Sequence, residues 1–242
     1  FEAVVRVAKL RRYTSSDHFS VDGTLLEAWA SHKSFKPKTN DDHADPDGGD
    51  APGGRNAEVD WRGQRRSNET HASTTDPEAR LARKSAGTAA RMCFMGHLLM
   101  EHRNALIVDA DLTAATGFAE RETAAEMLRR QPKSKRRRTV AANKGYDAKQ
   151  FVEDVRQAGF TPHVAQHNNK RRSAIDGRTT RHPGHRQSLR TRPRIEEPFG
   201  WIKTIGGGRK LRYIGKERNK AWFKMTVAVY NVLRITALDT AT

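Results

Sequence analysis

The sequence predicts an α/β domain in which one mixed β-sheet is flanked by helices. The main observation is the order of elements along the chain, which reads strand, hairpin, helix, strand, helix, strand, helix. Strands and helices that alternate in this way pack as helical layers on a sheet. A second observation is the length of 242 residues, which is enough to bury a substantial core.

The strands are predicted from alternating or short apolar runs bounded by polar residues. The first, at 19–24, places Phe19 and Val21 on one side and brings Asp22 to its end. Two apolar runs separated by a polar stretch predict a hairpin. The predicted hairpin and the later strands cover residues 92–100, 105–108, 138–142 and 161–166.

The helices are predicted from apolar residues at helical spacing. They cover residues 1–16, 25–30, 116–131, 148–158, 192–203 and 217–238. In the third of these, Glu120, Glu122 and Glu126 are expected to face water. In the fifth, Pro193 suits the first helical position, and Pro198 is expected to bend the axis just after Glu196.

Two segments lack an apolar period and are predicted to be loops. Residues 36–56 are rich in Gly, Pro and Asp, which indicates a flexible loop with solvated aspartates. Residues 167–190 are expected to form a basic loop.

The positive charge is concentrated in one part of the chain. The net charge is +17, yet residues 1–128 hold 17 basic and 20 acidic side chains, whereas residues 129–220 hold 26 and 7. Clustered Lys and Arg predict a polyanionic partner, and nucleic acid is favoured over a membrane surface because the basic region lacks a long apolar face. The basic run at 133–138 suits either a phosphate-contacting linker or a localisation signal.

Cellular location is predicted from what the sequence lacks. It shows no signal-peptide pattern and no apolar run near 18 residues, so we expect a cytoplasmic protein without a membrane partner. The single cysteine, Cys93, excludes an intramolecular disulfide and a cysteine-rich zinc module.

One predicted helix combines charged residues with a face suited to a core. Arg192, Glu196 and Lys203 are four and seven residues apart and therefore share one helical face. The apolar stripe beside them consists of Ile195, Phe199 and Ile202. Intrahelical ion pairs on a solvated surface would explain the charges, and a functional site is the alternative.

The predicted order of elements places three polar side chains at positions typical of a phosphoryl-transfer site. Asp22 lies at the end of one strand, Asn143 at the end of another, and Glu196 on a late helix. Hard cations such as Mg²⁺ or Mn²⁺ take oxygen ligands from a few carboxylates and leave positions open for phosphate oxygens and water. The basic region would then bind the phosphates.

These residues lie in segments that resemble bacterial insertion-sequence transposases with a DDE catalytic domain of the RNase H-like fold. The shared segments include Phe-Ser-Val-Asp-Gly-Thr at 19–24, Lys-Gly-Tyr at 144–146 and Arg-Ile-Glu-Glu-Pro-Phe-Gly-Trp-Ile-Lys at 194–203, with further similarity at 65–80 and 171–184. The resemblance implies cleavage of the element's ends, strand transfer into target DNA, a two-metal Mg²⁺ or Mn²⁺ site and a homo-oligomer when the protein is full-length. It also implies that the catalytic domain covers residues 19–238 and that a DNA-recognition region precedes it. Residues 1–18 would be a helical stub of that region.

The family's functional residues map onto named positions of this sequence. The resemblance implies that Asp22 and Glu196 bind metal, and that Arg192 and Lys203 contact phosphate. The family's second aspartate falls on Asn143. Further phosphate contacts are expected from Lys144, Arg171, Arg172, Arg136 and Arg137.

Asn143 predicts an inactive or weak enzyme. Its amide offers one neutral carbonyl oxygen where a carboxylate offers two oxygens and a negative charge. Asp147 is a possible substitute, although it would have to reach back to the strand end. Asp109 and Asp111 are interpreted as turn carboxylates.

The pair His182 and His185 has a spacing that suits zinc. Pro183 between them is expected to prevent a helix, so a basic loop near DNA is favoured. Two other functions stay open for the chain as a whole: a catalytically dead DNA-binding remnant of a transposase, and a basic RNA-binding protein.

Overall fold

The structure, a computed structural model, describes residues 1–38, 66–85, 87–167 and 172–241. The strands are β1 (His18–Glu27), β2 (Phe35–Pro37), β3 (His71–Ser73), β4 (Arg80–Ala82), β5 (Arg91–Glu101), β6 (Ile107–Ala114), β7 (Arg138–Ala142) and β8 (Phe160–Val164). The α-helices are α1 (Glu2–Leu10), α2 (Ala119–Arg129), α3 (Lys149–Gln157), α4 (Gly177–Arg181), α5 (Pro183–Thr191), α6 (Glu196–Lys203) and α7 (Lys216–Thr240). Short 3₁₀ helices cover His32–Ser34, Lys144–Tyr146 and Arg192–Ile195.

The main sheet is mixed. Its strand order is β4-β5-β1-β7-β8, and β6 also pairs with β5. β1 is antiparallel to β5 and parallel to β7, which is in turn parallel to β8. The RNase H-like mixed sheet predicted from the sequence is therefore confirmed, and β2 and β3 form a separate small sheet.

Strand register brings the two predicted strand-end residues together. β1 pairs with β7 from His18 opposite Thr139 to Ser20 opposite Ala141. Two residues further along both strands, this register reaches Asp22 and Asn143. Because β7 ends at Ala142 whereas β1 continues to Glu27, Asp22 lies in the middle of β1 and not at its end as predicted, beside the turn that follows β7.

The sheet buries one apolar face against α6 and α7 and the other against α2 and α3. Phe94 and Leu98 of β5 share a core cluster with Phe199 of α6 and Phe223 of α7. Leu99, the next residue along β5, belongs to the opposite cluster. That cluster includes Val21, Met127, Val140, Phe151 and Val155. The alternation follows from the two-residue period of a strand.

Helix α1, predicted within residues 1–16, packs on α7. Val5 and Ala8 are buried, and Ala8 lies in a cluster with Leu106 and Ile235. Lys224 of α7 forms an ion pair with Glu2 at 3.1 Å. The division of the chain at residue 18 stays a prediction.

The predicted helix at 25–30 is wrong. β1 continues through these positions to Glu27, which pairs with Cys93 of β5, and the Ala28 amide donates to the Met92 carbonyl. The backbone groups of 25–28 thus bond across the sheet, and this pairing outweighs the helical preference of Leu, Glu and Ala.

The two predicted loops also differ from the structure. Within 167–190, the described residues form α4 and α5 instead of a basic loop, and Pro183 begins α5 instead of preventing a helix. A proline at the first helical position loses no hydrogen bond. In the predicted loop at 36–56, Lys36 and Pro37 belong to β2, and 39–56 lie outside the described residues.

The remaining helices begin and end within a few residues of the predicted positions. Within the described part of the chain, no helix is both long and apolar enough to cross a membrane.

Candidate active site

A cleft of about 1340 Å³ opens where β7 ends beside β1. Four of the residues predicted to form the site line it: Asp22, Asn143, Glu196 and Lys203. They come from β1, the turn after β7, the start of α6 and the end of α6, so the fold joins positions that are far apart in sequence.

Asp22 is the most enclosed carboxylate of the cleft, with 8% of its surface exposed. One oxygen accepts the Gly23 amide at 3.0 Å and the Asn143 side-chain amide at 3.3 Å. The other accepts Arg192 Nη2 at 2.5 Å. Burial raises the pKa of Asp22, and the Arg192 guanidinium opposes the rise.

Asn143 uses both ends of its side-chain amide. Its Nδ2 donates to Asp22, whereas its Oδ1 accepts the Gly145 amide at 2.8 Å and caps the 3₁₀ turn that follows β7. The amide therefore presents its donor, not its oxygen, to Asp22. A carboxylate at position 143 would instead place a second negative charge beside Asp22.

Arg192 connects both acidic residues predicted to bind metal. Its Nη1 donates to Glu196 Oε1 at 3.1 Å while its Nη2 binds Asp22. The intrahelical ion pair considered from the sequence is thus present, together with a contact to β1. The side chain of Glu196 is 63% exposed, so this carboxylate lies at the open side of the cleft.

Lys203 is the last residue of α6. Its ammonium donates to the Thr24 hydroxyl at 2.5 Å, two residues along β1 from Asp22. Burial, followed by the charge of Lys84, lowers the pKa of Lys203. A lysine with such surroundings is a strong donor for an oxygen anion in the cleft.

The core fixes the direction of α6. The predicted apolar stripe is confirmed, because Ile195, Phe199 and Ile202 are all buried. The helix type changes just before Glu196 and not after it, where the bend was expected. The 3₁₀ helix gives way to α6 just before Glu196, and Pro198 lies in the first turn of α6, where a missing N–H costs no hydrogen bond.

Glu120 is a site residue that the sequence analysis missed. It was expected to face water, yet it is half-buried and lines the cleft with Asp22. Burial, and then the charge of Asp22, raises the pKa of Glu120. Its position was available from the pattern, because Glu120 is four and eight residues before the buried Ala124 and Leu128 of the same helix.

The other acidic candidates have structural partners. The buried Asp147 accepts the backbone amides of His167 at 2.7 Å and Ala174 at 2.8 Å, so it does not replace the missing aspartate. Asp109 and Asp111 lie within β6 and not in a turn, so that prediction is wrong. Both bind Arg130, and Lys220 Nζ lies 2.7 Å from Asp111 Oδ1.

The histidine pair also has structural roles. The His182 side chain accepts the Gly184 amide at 3.1 Å and caps α5. His185 is buried, and its Nε2 lies 3.2 Å from the Val164 carbonyl oxygen. The two residues hold α5 in place and do not form part of the cleft.

The predicted phosphate-binding residues are dispersed. Lys144 is exposed beside Asn143, and Arg172 is exposed. Arg136 and Arg137 precede β7 and therefore lie at the far end of that strand from Asn143. Arg171 lies outside the described residues. Basic residues that the sequence analysis did not single out also line the cleft: Arg80, Arg83, Lys84, Arg91 and Arg209.

The carboxylates that line the cleft are the candidates for holding a divalent cation. The described residues contain no group of three or more His, Cys, Asp or Glu side chains placed to hold a metal ion. Mg²⁺ needs less, since it is commonly held by one or two carboxylates and completes its shell with water and substrate phosphates. Asp22 and Glu196 are two carboxylates of the cleft that would suit this role, and both accept hydrogen bonds from Arg192.

Comparison with known proteins identifies the family. Residues 52–232 match the family described as transposase DDE domain, so the chain belongs to this family. The matched residues begin after β1 and leave out Asp22. Among solved structures, the cryo-EM structure of a piggyBac transposase synaptic complex with hairpin DNA is similar, with a TM-score of 0.49 and 8% identity. That alignment covers 94% of this chain and 48% of the other, so this chain spans about half of the length of that transposase. No curated protein matches the chain.

Proposed function

We propose that this chain is the catalytic part of a DNA transposase that cuts DNA at the ends of a mobile element and joins the freed 3′-hydroxyl to target DNA. The observation that carries the proposal is the convergence of Asp22, Asn143 and Glu196 in one cleft lined by basic residues. Family membership supports the reaction class, and the residues that line the cleft support the proposed roles.

In this proposal Asp22 and Glu196 hold a divalent cation, Mg²⁺ or Mn²⁺. When bound, the cation polarises a phosphoryl oxygen and favours ionisation of the attacking water. Both residues offer hard carboxylate oxygens and line the same cleft. Arg192 keeps the two carboxylates in a fixed relation, because its guanidinium contacts both.

The DNA backbone is the partner that the cleft suits. Lys203 and the arginines of the cleft wall provide charge-assisted hydrogen bonds to phosphate oxygens. Lys144, Arg172, Arg136 and Arg137 would extend the contact along DNA beyond the cleft. A homo-oligomeric assembly on the DNA and a cytoplasmic location stay predictions.

Asn143 reduces the rate in this proposal. Its neutral amide donates to Asp22 and leaves the site one carboxylate short of the family's pattern. Metal assistance contributes several kcal/mol to such reactions, so a weakened cation site slows cleavage by orders of magnitude. We propose a slow enzyme.

The test is Mg²⁺-dependent cleavage of duplex DNA that carries the terminal sequences flanking the gene. We expect slow cleavage by the wild-type chain and none by Asp22→Asn. Glu126→Gln, which removes an exposed carboxylate of α2, is the matched control and should cleave like wild type. Tight DNA binding without cleavage in any variant, Asn143→Asp included, would identify a dead remnant. Preference for structured RNA over DNA would identify an RNA-binding protein.

A further inference from the structure

A second pocket, of about 440 Å³, lies where β1 and β7 begin, next to β8 and α5. Its volume is in the range of about 300–1,000 Å³ that is usual for ligand sites. Among the described residues that line it, none is acidic and six are histidines or arginines: His18, His102, Arg137, His163, His182 and Arg194. We call this site the histidine pocket.

Two imidazoles of the histidine pocket have a ring nitrogen available for a ligand. His163 is only 4% exposed, and its Nδ1 lies 2.7 Å from the Ser188 hydroxyl oxygen, whereas its Nε2 has no hydrogen-bond partner within the described residues. His182 accepts the Gly184 amide through Nδ1, so its neutral ring carries the proton on Nε2. A nearly buried ring nitrogen without a protein partner at the wall of a pocket indicates a bound polar group.

Arg137 and Arg194 supply the charge of the pocket. Both are exposed, and within the described part of the chain Arg137 forms no hydrogen bond or ion pair, while Arg194 donates to the His102 carbonyl at 3.3 Å. Burial, and then the charges of nearby histidines and an arginine, lowers the pKa of His102 and of His163 to about 4. These two imidazoles are therefore neutral at pH 7, and the lining residues do not compensate the two guanidinium charges. Such surroundings favour an anion, and the planar guanidinium suits phosphate in particular.

The basic surface continues beyond the histidine pocket. Arg137 also lines a neighbouring pocket of about 400 Å³, together with Arg156 and Arg178. Asp176 pairs with Arg156 at 2.6 Å, and Arg178 is exposed without an ion-pair partner among the described residues. Two adjoining sites that share an arginine suit a chain of phosphates better than a single free anion. The basic run at 133–138 precedes both sites.

The histidine pocket is separate from the catalytic cleft. His18 begins β1 opposite Thr139 of β7, and Asp22 follows four residues later in β1. At about 3.3 Å per residue, the pocket lies about 13 Å from Asp22 along the same face of the sheet. No described residue lines both the pocket and the cleft. Substitutions in the pocket therefore leave the catalytic residues in place.

We propose that the histidine pocket binds a backbone phosphate of DNA and so holds DNA at a second place, outside the catalytic cleft. Arg137 and Arg194 would neutralise the phosphate, and the ring N–H of His182 would donate to one of its oxygens. This inference deepens the proposed function, and it rests on that function for the choice of DNA as the polyanion.

The test is the affinity for a fluorescent DNA duplex, measured by anisotropy at several salt concentrations. Arg137→Gln/Arg194→Gln should weaken binding about tenfold, because charge-assisted hydrogen bonds to phosphate are lost. The slope of log affinity against log salt should become about 1 smaller in magnitude, as expected for one phosphate contact fewer. Arg6→Gln/Arg218→Gln removes two exposed arginines from α1 and α7 and should bind DNA nearly like wild type.

A second pair of variants adds charge without removing an arginine. Gln187→Glu places a carboxylate at the exposed edge of the histidine pocket, and Gln150→Glu places one at an exposed position of α3. We expect Gln187→Glu to weaken DNA binding and Gln150→Glu to leave it unchanged. In addition, DNA should shift the imidazole NMR signals of His163 and His182.

Four results would overturn the inference. The first is an equal loss of affinity in the pocket variants and their controls, which general electrostatics would explain. The second is a shift of the His163 imidazole signals with inorganic phosphate but not with DNA, which would identify a site for a free anion. The third is a wild-type chain that does not bind DNA. The fourth is a thermal unfolding midpoint for Arg137→Gln/Arg194→Gln well below that of its control, together with normal DNA binding by Gln187→Glu, which would make the two arginines structural residues.

DNA cleavage by the same proteins separates this inference from the proposed function. Weaker DNA binding by the pocket variants alone, with no cleavage by any protein, would support the phosphate site and reject the transposase activity. Cleavage that depends on Asp22, with DNA affinity unchanged in the pocket variants, would support the activity and reject the second DNA contact.

Discussion

The guanidinium of Arg192 donates a 2.5 Å hydrogen bond to the carboxylate of Asp22, which lies 170 residues earlier in the chain. Only 16% of the Arg192 side chain and 10% of the Asp22 side chain are exposed, so this ion pair is largely shielded from water. It joins the segment before α6 to β1 and thereby sets the position of Glu196 relative to Asp22.

Removal of this guanidinium should destabilise the fold as well as the site. Arg192→Met keeps the length of the side chain but leaves Asp22 buried without its cation. Breaking a buried pair in this way costs about 3 kcal/mol in the free energy of unfolding. Urea unfolding measures the loss, and Arg190→Met at an exposed position of α5 is the control that should change it little. Equal stability of the two variants would contradict the structural role of the pair.

Replacement of Asn143 by aspartate should accelerate cleavage. A carboxylate at this position adds oxygen ligands and a negative charge beside Asp22, where a cation would be held. We expect Asn143→Asp to raise the rate of Mg²⁺-dependent strand cleavage about tenfold or more, which corresponds to at least about 1.4 kcal/mol in the activation free energy. Single-turnover cleavage measures this rate. Robust and equal rates in wild type and Asn143→Asp would show that Asn143 does not impair the site.

Close packing of α7 on the sheet should make Gly96 intolerant of a side chain. A methyl group there would lie 2.8 Å from Phe223 Cε2 and 3.2 Å from Leu26 Cδ1. Overpacking of this kind costs about 1–3 kcal/mol, so Gly96→Ala should lower the thermal unfolding midpoint. Gly117→Ala is the matched control, since no atom of the described residues lies within 4 Å of its added methyl group. A Gly96→Ala midpoint as high as that of the control would disprove the close approach.

Stability should fall in mild acid because of His97. Burial lowers the pKa of this imidazole from 6.5 to about 4, although the charge of Asp111 opposes the shift. The unfolded chain therefore takes up a proton between these pH values and the folded chain does not, so the stabilisation is complete above pH 6.5 and is lost as the pH falls towards 4. We expect about 2 kcal/mol less stability from this residue at pH 5 than at pH 7.

Urea unfolding at the two pH values measures this difference. The His97 ring nitrogen Nε2 lies 2.8 Å from Thr113 Oγ1. His97→Gln places a neutral amide nitrogen near that position and should reduce the difference in stability between the two pH values. A variant that loses as much stability as wild type on acidification would show that His97 is not responsible.

Much of the site was accessible from sequence because its residues sit in strongly patterned elements. Phe19 and Val21 fix β1 by alternation, and the stripe of Ile195, Phe199 and Ile202 fixes the orientation of α6. These patterns were sufficient to place Asp22 on the first strand and Glu196 on a late helix, although β1 continues to Glu27, so Asp22 lies in the middle of the strand and not at its end. The fold then added what no local pattern contains, namely the register that sets Asp22 beside Asn143.

The errors arise where long-range contacts decide. Residues 25–27 resemble a helix locally, yet they form strand because β5 offers a continuous ladder of hydrogen bonds. In the sequence, Glu120 looks like a solvated helix residue. In the structure its side chain packs over Gly23, which has no side chain to exclude it. Asp147 looks like a free carboxylate, whereas its oxygens bind the amides of a segment 20 or more residues later.

The most direct test of the central claim is to locate the cation itself. Crystals of the wild-type chain soaked in Mn²⁺ should show an anomalous scattering peak in the cleft, within coordination distance of an Asp22 carboxylate oxygen. Absence of a peak beside Asp22 in crystals where the cleft is open to solvent, or a peak confined to other acidic residues such as Asp109 and Asp111, would contradict the assignment of this cleft as the catalytic cation site.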